Sequence, residues 1–142
     1  MMITFSGGLE RILNETKTMT TRLDAKGHYR EAWAKGQDME RDIVLDLWWL
    51  NPRNRHPDCY KIGRVYWERE DEVRGHALTP EDALLDGFDT LLEYKVALMN
   101  LNNMRSIREV DSHVWTQIIW SKEDGYVHWA DGPHRPRPRR VA

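Results

Sequence analysis

Apolar and polar positions along this chain repeat with two different periods, and each change of period marks the edge of an element. Met2-Ile3-Thr4-Phe5 reads as a short strand, closed by Ser6-Gly7-Gly8, where glycine releases the backbone from extended geometry. Leu9, Ile12 and Leu13 then fall three and four residues apart, which predicts a two-turn helix over residues 9–15 with a single apolar stripe. A Gly-Gly turn that opens a helix offers free backbone amides to an anion, although most such turns are only turns. A period of two follows in Lys17-Thr18-Met19-Thr20-Thr21-Arg22-Leu23. As a strand it places Met19, Thr21 and Leu23 on one face and Thr18, Thr20 and Arg22 on the other. One face can enter a core while the other lines a groove with two hydroxyls and a guanidinium.

Residues 24–28 read as a loop, and Tyr29, Ala32 and Trp33 mark a helical turn over residues 29–34. Lys35-Gly36-Gln37-Asp38 predicts a turn into a long strand or strand pair over residues 39–50. There Ile43, Leu45, Leu47 and Trp49 share one face and Val44, Asp46, Trp48 and Leu50 the other, so the end near Trp48 is apolar on both sides, as in a covered barrel strand. Residues 51–58 hold two prolines with Arg53, Arg55 and His56, a surface loop able to touch phosphate. Residues 60–70 predict the next strand, with Val65 and Trp67 on one face and Ile62 and Tyr66 on the other, and residues 68–74 alternate in charge as a solvated segment does.

Thr79-Pro80-Glu81-Asp82 has a hydroxyl N-cap, proline at the first helical position and acids in the first turn, and this helix ends at Gly87. Thr90-Leu91-Leu92-Glu93 predicts a second capping box, opening a helix that runs to residues 100–103. Val114 to Trp120 is a strong strand pattern, residues 121–125 a turn, and Tyr126-Val127-His128-Trp129 the expected hairpin partner. Short strands around a helical insertion, closed by a hairpin, predict an α+β small β-barrel with flanking short helices.

Composition narrows the class. A chain of 142 residues is one domain by size, and its seven Trp and five Tyr supply large buried areas despite a charged share of 31%. No run reaches the roughly 18 apolar residues of a membrane helix, and no basic-then-apolar leader opens the chain, so the expectation is a cytoplasmic protein with no membrane partner. Cys59 is the single cysteine and has no internal disulfide partner. Charge is distributed unevenly. Residues 134–142 form a basic Pro/Arg-rich tail with four arginines and no acid, and taking those four positive charges from a net −2 leaves residues 1–133 at −6. An acidic body disfavours coating of long nucleic acid, which needs a broad basic surface, but not a pocket for one nucleotide.

Candidate chemistry concentrates in the Lys17 segment. His56-Pro57-Asp58-Cys59 lacks a second pair at zinc spacing, and there is no P-loop, dinucleotide fingerprint or Ser-His-Asp arrangement, so no metal and no cofactor is expected. Tyr29, Trp33, Trp48, Trp49 and Trp67 can stack on a base or fill a core. The order of Lys17-Thr18-Met19-Thr20-Thr21-Arg22, the Lys35 to Asp38 turn, Ala83-Leu84-Leu85-Asp86-Gly87-Phe88-Asp89-Thr90 and a Trp-rich closing strand resembles the ASCH (activating signal cointegrator homology) domain, a branch of the PUA-like β-barrels. The resemblance covers about 120 residues, from Met2 to Trp120.

That resemblance implies a cleft for RNA or a modified nucleotide beside the Lys-Thr strand, in a family that holds both binding modules and enzymes. The motif is similar to that of bacterial acetylcytidine amidohydrolases, Lys-Thr-x-Thr-x-Arg, which implies Lys17 and Thr20 as catalytic residues and Asp86 where the family carries Glu. Thr18, Arg22, Trp49 and Arg53 are the expected nucleotide or RNA contacts, and Asp89 is a second candidate carboxylate. Three functions follow: a reader of RNA or a modified nucleotide, a hydrolase acting on an acylated cytidine or on single-stranded RNA, or a protein-interaction domain. Catalysis carries a geometric condition, because Lys17 and Thr20 have opposite parity on a regular strand and converge only if the strand begins after Lys17 or carries a bulge.

Overall fold

The computed structural model describes residues 1–121 together with the backbone of Val127 and His128. Strands β1 (Met2–Phe5), β2 (Met19–Arg22), β3 (Val44–Trp49), β4 (Tyr60–Arg74) and β5 (Val114–Ser121) form a curled half-barrel sheet in the order β1-β3-β4-β5-β2. Helices α1 (Leu9–Leu13), α2 (His28–Asp38), α3 (Pro80–Leu85), α4 (Leu91–Leu101) and α5 (Ile107–Ser112) pack around it, giving a mixed α+β fold. No helix among the described residues is long and apolar enough to cross a membrane.

The first two strands of the chain become the two edges of the sheet. β1 pairs in parallel with β3 alone and β2 antiparallel with β5 alone, so the opening of the half-barrel lies between β1 and β2. The curl comes from β4, which is fifteen residues long and longer than its pattern predicts. It serves β3 with its first half and β5 with its second, and a bulge interrupts each ladder, one at Ile62 and one at Glu68. Bulges bend a strand and raise its local twist. The first also corrects the expected faces of β4: the extra residue brings Ile62 into the core beside Val65 and Trp67, and Tyr66 is left exposed.

Two apolar clusters result, one on each face of β5. Inside the curve, Ile118 and Trp120 pack with Ile3, Phe5, Leu45, Leu47, Val65 and Trp67. On the outer face, Trp115 and Ile119 pack with Met19, Tyr94, Leu98 and Val110 under α4 and α5. β5 is thus buried on both sides, and its run without alternation is the sequence trace of that position.

Helix α2 differs from expectation. Residues 35–38 continue the helix instead of turning, and β3 begins only at Val44. Gly36 is the reason: a Cβ there would stand 2.4 Å from the Ile43 side chain, so glycine lets the helix settle against the segment that leads into β3. Trp33 then packs on Trp67 with ring centroids 5.2 Å apart. At the start of α3 the Thr79–Asp82 capping box forms in full, whereas Thr90 alone caps α4 by accepting from the Glu93 amide. α5 was not predicted, although Ser106 accepts from the Glu109 amide in the same Ser/Thr-x-x-Glu pattern.

The backbone of β6 (Val127–His128) pairs with β4 at Gly63 and Arg64, beyond the point where β5 leaves that strand. The expected hairpin with β5 is therefore corrected to a third antiparallel partner for β4. Ser121 belongs to β5, and the rest of the turn expected at residues 121–125, with Tyr126, Trp129 and the Arg/Pro tail, lies outside the described residues.

Candidate functional site

The opening between β1 and β2 holds a cavity of about 450 Å³. Lys17, Thr20, Arg22 and Asp86 line it together with Thr21, Ser6, Asn100 and Asn102, and apolar walls come from Phe5, Phe88 and the α4 residues Leu98 and Leu101. The volume is within the range of small-molecule sites, which are mostly apolar with a few convergent polar groups.

Lys17 reaches this cavity from outside the strand. After α1 the chain turns back with Glu15 in a left-handed conformation (φ 65°), the Lys17 amide donates to the Arg11 carbonyl (2.9 Å), and the Thr18 amide donates to the Leu85 carbonyl (2.9 Å). β2 begins only at Met19, so the parity that separates Lys17 from Thr20 on a regular strand does not apply. The Thr18–Leu85 bond also brings the end of α3 against Lys17. Asp86 caps that helix at its C-terminus, and Gly87 follows with φ 89°. A Cβ at Gly87 would lie 3.2 Å from the Lys17 Cβ, so the left-handed backbone and the close approach both call for glycine.

Lys17 Nζ donates to the Asp86 carbonyl (2.7 Å) and to the Asp86 carboxylate Oδ1. Both side chains are only 6% exposed. Burial pushes the Lys17 ammonium below its ordinary pKa, and the Asp86 charge works against that fall. Burial pushes the Asp86 carboxyl above its ordinary pKa, opposed by Lys17 and by a side-chain hydrogen bond from Thr21. Desolvation is the largest influence on both groups, so the neutral Lys–Asp pair is brought closer in energy to the ion pair. Burial thus moves the two pKa values toward each other, which favours exchange of a proton within the pair.

Arg22 closes the opening. Its Nε donates to Thr20 Oγ1 (3.1 Å) and its Nη2 to the Thr4 carbonyl of β1 (2.6 Å), so one guanidinium joins the two sheet edges. Phe5 underlies both cations, with Lys17 Nζ and Arg22 Cζ each 5.5 Å from its ring centroid. Because Thr20 accepts from Arg22, its own hydroxyl proton remains available for donation. Phe88 stands on the other side, stacked on Tyr94 with centroids 5.6 Å apart.

Of the residues predicted for the site, Lys17, Thr20, Arg22 and Asp86 line one cavity. Thr18 does not line it. Its backbone is the brace instead, donating to Leu85 and accepting from the Trp120 amide (3.0 Å). Trp49 packs half-buried on the inner core and Arg53 is exposed in a 3-10 turn at Pro52–Asn54, and neither lines the cavity. Tyr29 and Trp33 pack against the inner core and Trp67 lies within it. Asp89 pairs with Arg11 at 2.8 Å in an exposed position. Sequence reading missed Phe5, Phe88 and the α4 wall, and it missed Tyr94, whose hydroxyl is hydrogen-bonded to Thr21. Phe5 and Phe88 carried a local signal, since each flanks a glycine turn in the motifs already singled out; α4 carried none. Among the described residues, no three His, Cys, Asp or Glu side chains group as a metal would require.

Comparisons of the chain with protein-family models, with curated proteins and with solved structures find no match.

Proposed function

We propose that this cavity binds a single nucleoside or nucleotide, free or as one unit of RNA, with Lys17, Asp86, Thr20 and Arg22 reading the polar edge of the ligand. The observation that carries the reading is the convergence of these four side chains on one cavity that Phe5, Phe88, Leu98 and Leu101 also line. Lys17 and Asp86 set a donor beside an acceptor, the pattern needed to read a base edge. Phe5 and Phe88 offer apolar ring surface against which a base can pack. Arg22 keeps donors beyond the two it uses, enough for a phosphate or acyl oxygen. The ligand class rests on the resemblance of the Lys17 to Arg22 motif to the ASCH domain. The −6 charge of residues 1–133 favours one nucleotide unit over a long RNA.

A second reading, amide hydrolysis on an acylated cytidine, is favoured by the buried Lys17–Asp86 pair in the same cavity as the Thr20 hydroxyl. In its neutral form Lys17 would take the Thr20 proton, and the Thr20 oxygen would attack the acyl carbon. Arg22 would stabilise the developing oxyanion, and Asp86 in its acid form would protonate the departing amine. Water would then release the acyl group from Thr20. Aspartate is one methylene shorter than the glutamate implied by the resemblance, and Lys17 also bonds the Asp86 backbone carbonyl at the end of α3 (2.7 Å).

Calorimetric titration and product analysis with acetylcytidine, cytidine monophosphate and a short single-stranded RNA test both readings. Saturable one-site binding, weakened at least about tenfold by Thr20→Ala or Arg22→Ala, is the expected result. Release of acetate or cleaved RNA by the wild type and not by Thr20→Ala would select the hydrolase. Absence of both binding and turnover would overturn the proposal and leave the protein-interaction reading.

A further inference from the structure

We infer that the cavity contains a subsite for a carboxylate, formed by the Arg22 guanidinium, the Thr20 hydroxyl and the Lys17 ammonium. The inference rests on the reading of this cavity as a ligand site and names the chemical class of one ligand group; it does not require that the ligand be a nucleoside. Charge is the first reason. The lining holds two basic side chains, Lys17 and Arg22, and one carboxyl, Asp86. Lys17 and Asp86 are paired, and their sum is zero whichever of them holds the shared proton. The lining therefore carries one excess positive charge, and it sits on Arg22. Two arginines among the described residues are half-buried, and they differ in this respect: Arg11 pairs with Asp89, whereas Arg22 bonds only to neutral oxygens, the Thr20 hydroxyl at 3.1 Å and the Thr4 carbonyl at 2.6 Å. A guanidinium drawn partly out of water gains more from an anion than from neutral acceptors. With residues 1–133 at −6, this positive spot is local and not part of a basic face.

Hydrogen-bonding capacity is the second reason. An ammonium has three N–H groups, and Lys17 gives two of them to the carbonyl and the carboxylate of Asp86, leaving one. A guanidinium has five, and the bonds to Thr20 and Thr4 leave three on Arg22. Thr20 accepts from Arg22 and keeps its own proton to donate. These donors are neighbours: Lys17 Nζ and Arg22 Cζ each lie 5.5 Å from the Phe5 ring centroid, and Thr20 Oγ1 is bonded to Arg22. A carboxylate accepts through two oxygens, carries a single charge and matches the planar guanidinium, so it answers both the donors and the excess charge. A dianion such as sulfate overshoots that charge. Phe5, Phe88 and Leu98 wall the same cavity and give apolar contact to the carbon that bears the carboxylate. On the amide-hydrolysis reading this subsite is where the released acyl group rests, so the product competes with the ligand.

NMR titration of ligand-free, full-length protein with sodium acetate, at constant ionic strength against sodium chloride, tests the subsite through the Arg22 side-chain resonances and the Phe5 and Thr20 amides. Saturation with a dissociation constant on the order of a millimolar is expected, since so small a ligand makes few contacts, and sulfate is expected to bind at least about tenfold more weakly. Arg22→Gln should abolish saturation, whereas Arg11→Gln, at the arginine that already has its carboxylate, should leave it unchanged. Thr20→Val should weaken acetate at least about tenfold. No saturation in the wild type, sulfate bound as tightly as acetate, or an unchanged affinity in folded Arg22→Gln would overturn the inference. If Arg22→Gln does not fold, an unchanged affinity in Thr20→Val would do so. Acetylcytidine binding is measured on the same preparation. Acetate saturation without acetylcytidine binding leaves the subsite in place and removes the nucleoside reading; acetylcytidine binding without acetate saturation does the reverse.

Discussion

Two ion pairs join the segment before β2 to the segment after α3, and their acids are three residues apart. Arg11–Asp89 is exposed, with side chains 37% and 66% accessible, whereas both members of Lys17–Asp86 are 6% accessible. Their charges and supporting elements are alike, so the difference isolates what water does. In the open pair, solvent and salt screen the attraction, and such pairs contribute about 0–1 kcal/mol. In the closed pair, burial strips hydration from both ions, pushing the Lys17 pKa down and the Asp86 pKa up. Burial, more than the meeting of opposite charges, is what singles out Asp86 over Asp89 as a chemical group.

The largest test of this contrast is to remove one member of the closed pair. Lys17→Met leaves the Asp86 carboxylate buried without its partner and is expected to cost about 3–5 kcal/mol at neutral pH in urea or guanidinium unfolding. Adding Asp86→Leu should recover most of that loss, because the pair is then replaced by apolar volume. A single replacement costing no more than an exposed one would erase the distinction.

A smaller effect is expected in the pH dependence of stability. For Asp86 the folded pKa lies above the unfolded one, so the native state binds more protons between the two and stability falls as pH rises through that window. For Lys17 the folded pKa lies below the unfolded one, so the unfolded state binds more protons and stability rises with pH up to the ordinary lysine range. Together the two groups produce a shallow minimum between the raised Asp86 pKa and the lowered Lys17 pKa. Unfolding midpoints measured across pH should show the minimum in the wild type and a flatter profile in the Lys17→Met, Asp86→Leu double variant. The smallest effect belongs to the open pair. Arg11→Ala and Asp89→Ala are each expected to change stability by less than about 1 kcal/mol and to leave the pH minimum in place. A larger loss in either would mean that the open pair also braces the loop carrying Asp86.

Much of the site was legible because its parts are local. Lys17, Thr20 and Arg22 lie within six residues, and the cap at Thr79 and the glycine at Gly87 bracket α3 closely enough to place Asp86 at its end. The break that frees Lys17 from strand parity was legible only as a condition, since it is set by the bonds to Arg11 and Leu85. The faces of β4 were misread at Ile62 because a bulge leaves no local signature in an alternating run. β6 was assigned to the wrong neighbour for a related reason. A strand pattern states that a segment seeks an edge, and only the length and bend of β4 decide which edge is free.

By itself the sequence determined the periods of its strands and helices, the caps that start α3 and α4, and a set of side chains with the right chemistry for one site. These follow from backbone sterics and near-neighbour hydrogen bonding, which act over a few residues. Tertiary structure alone decided that β1 and β2 become facing edges, that Arg22 spans them to Thr4, and that Phe5, Phe88 and α4 wall the space between. It alone decided that Asp86 is dry and Asp89 wet. Solvent exclusion is a property of everything packed around a group, so no pattern in the neighbouring residues encodes it.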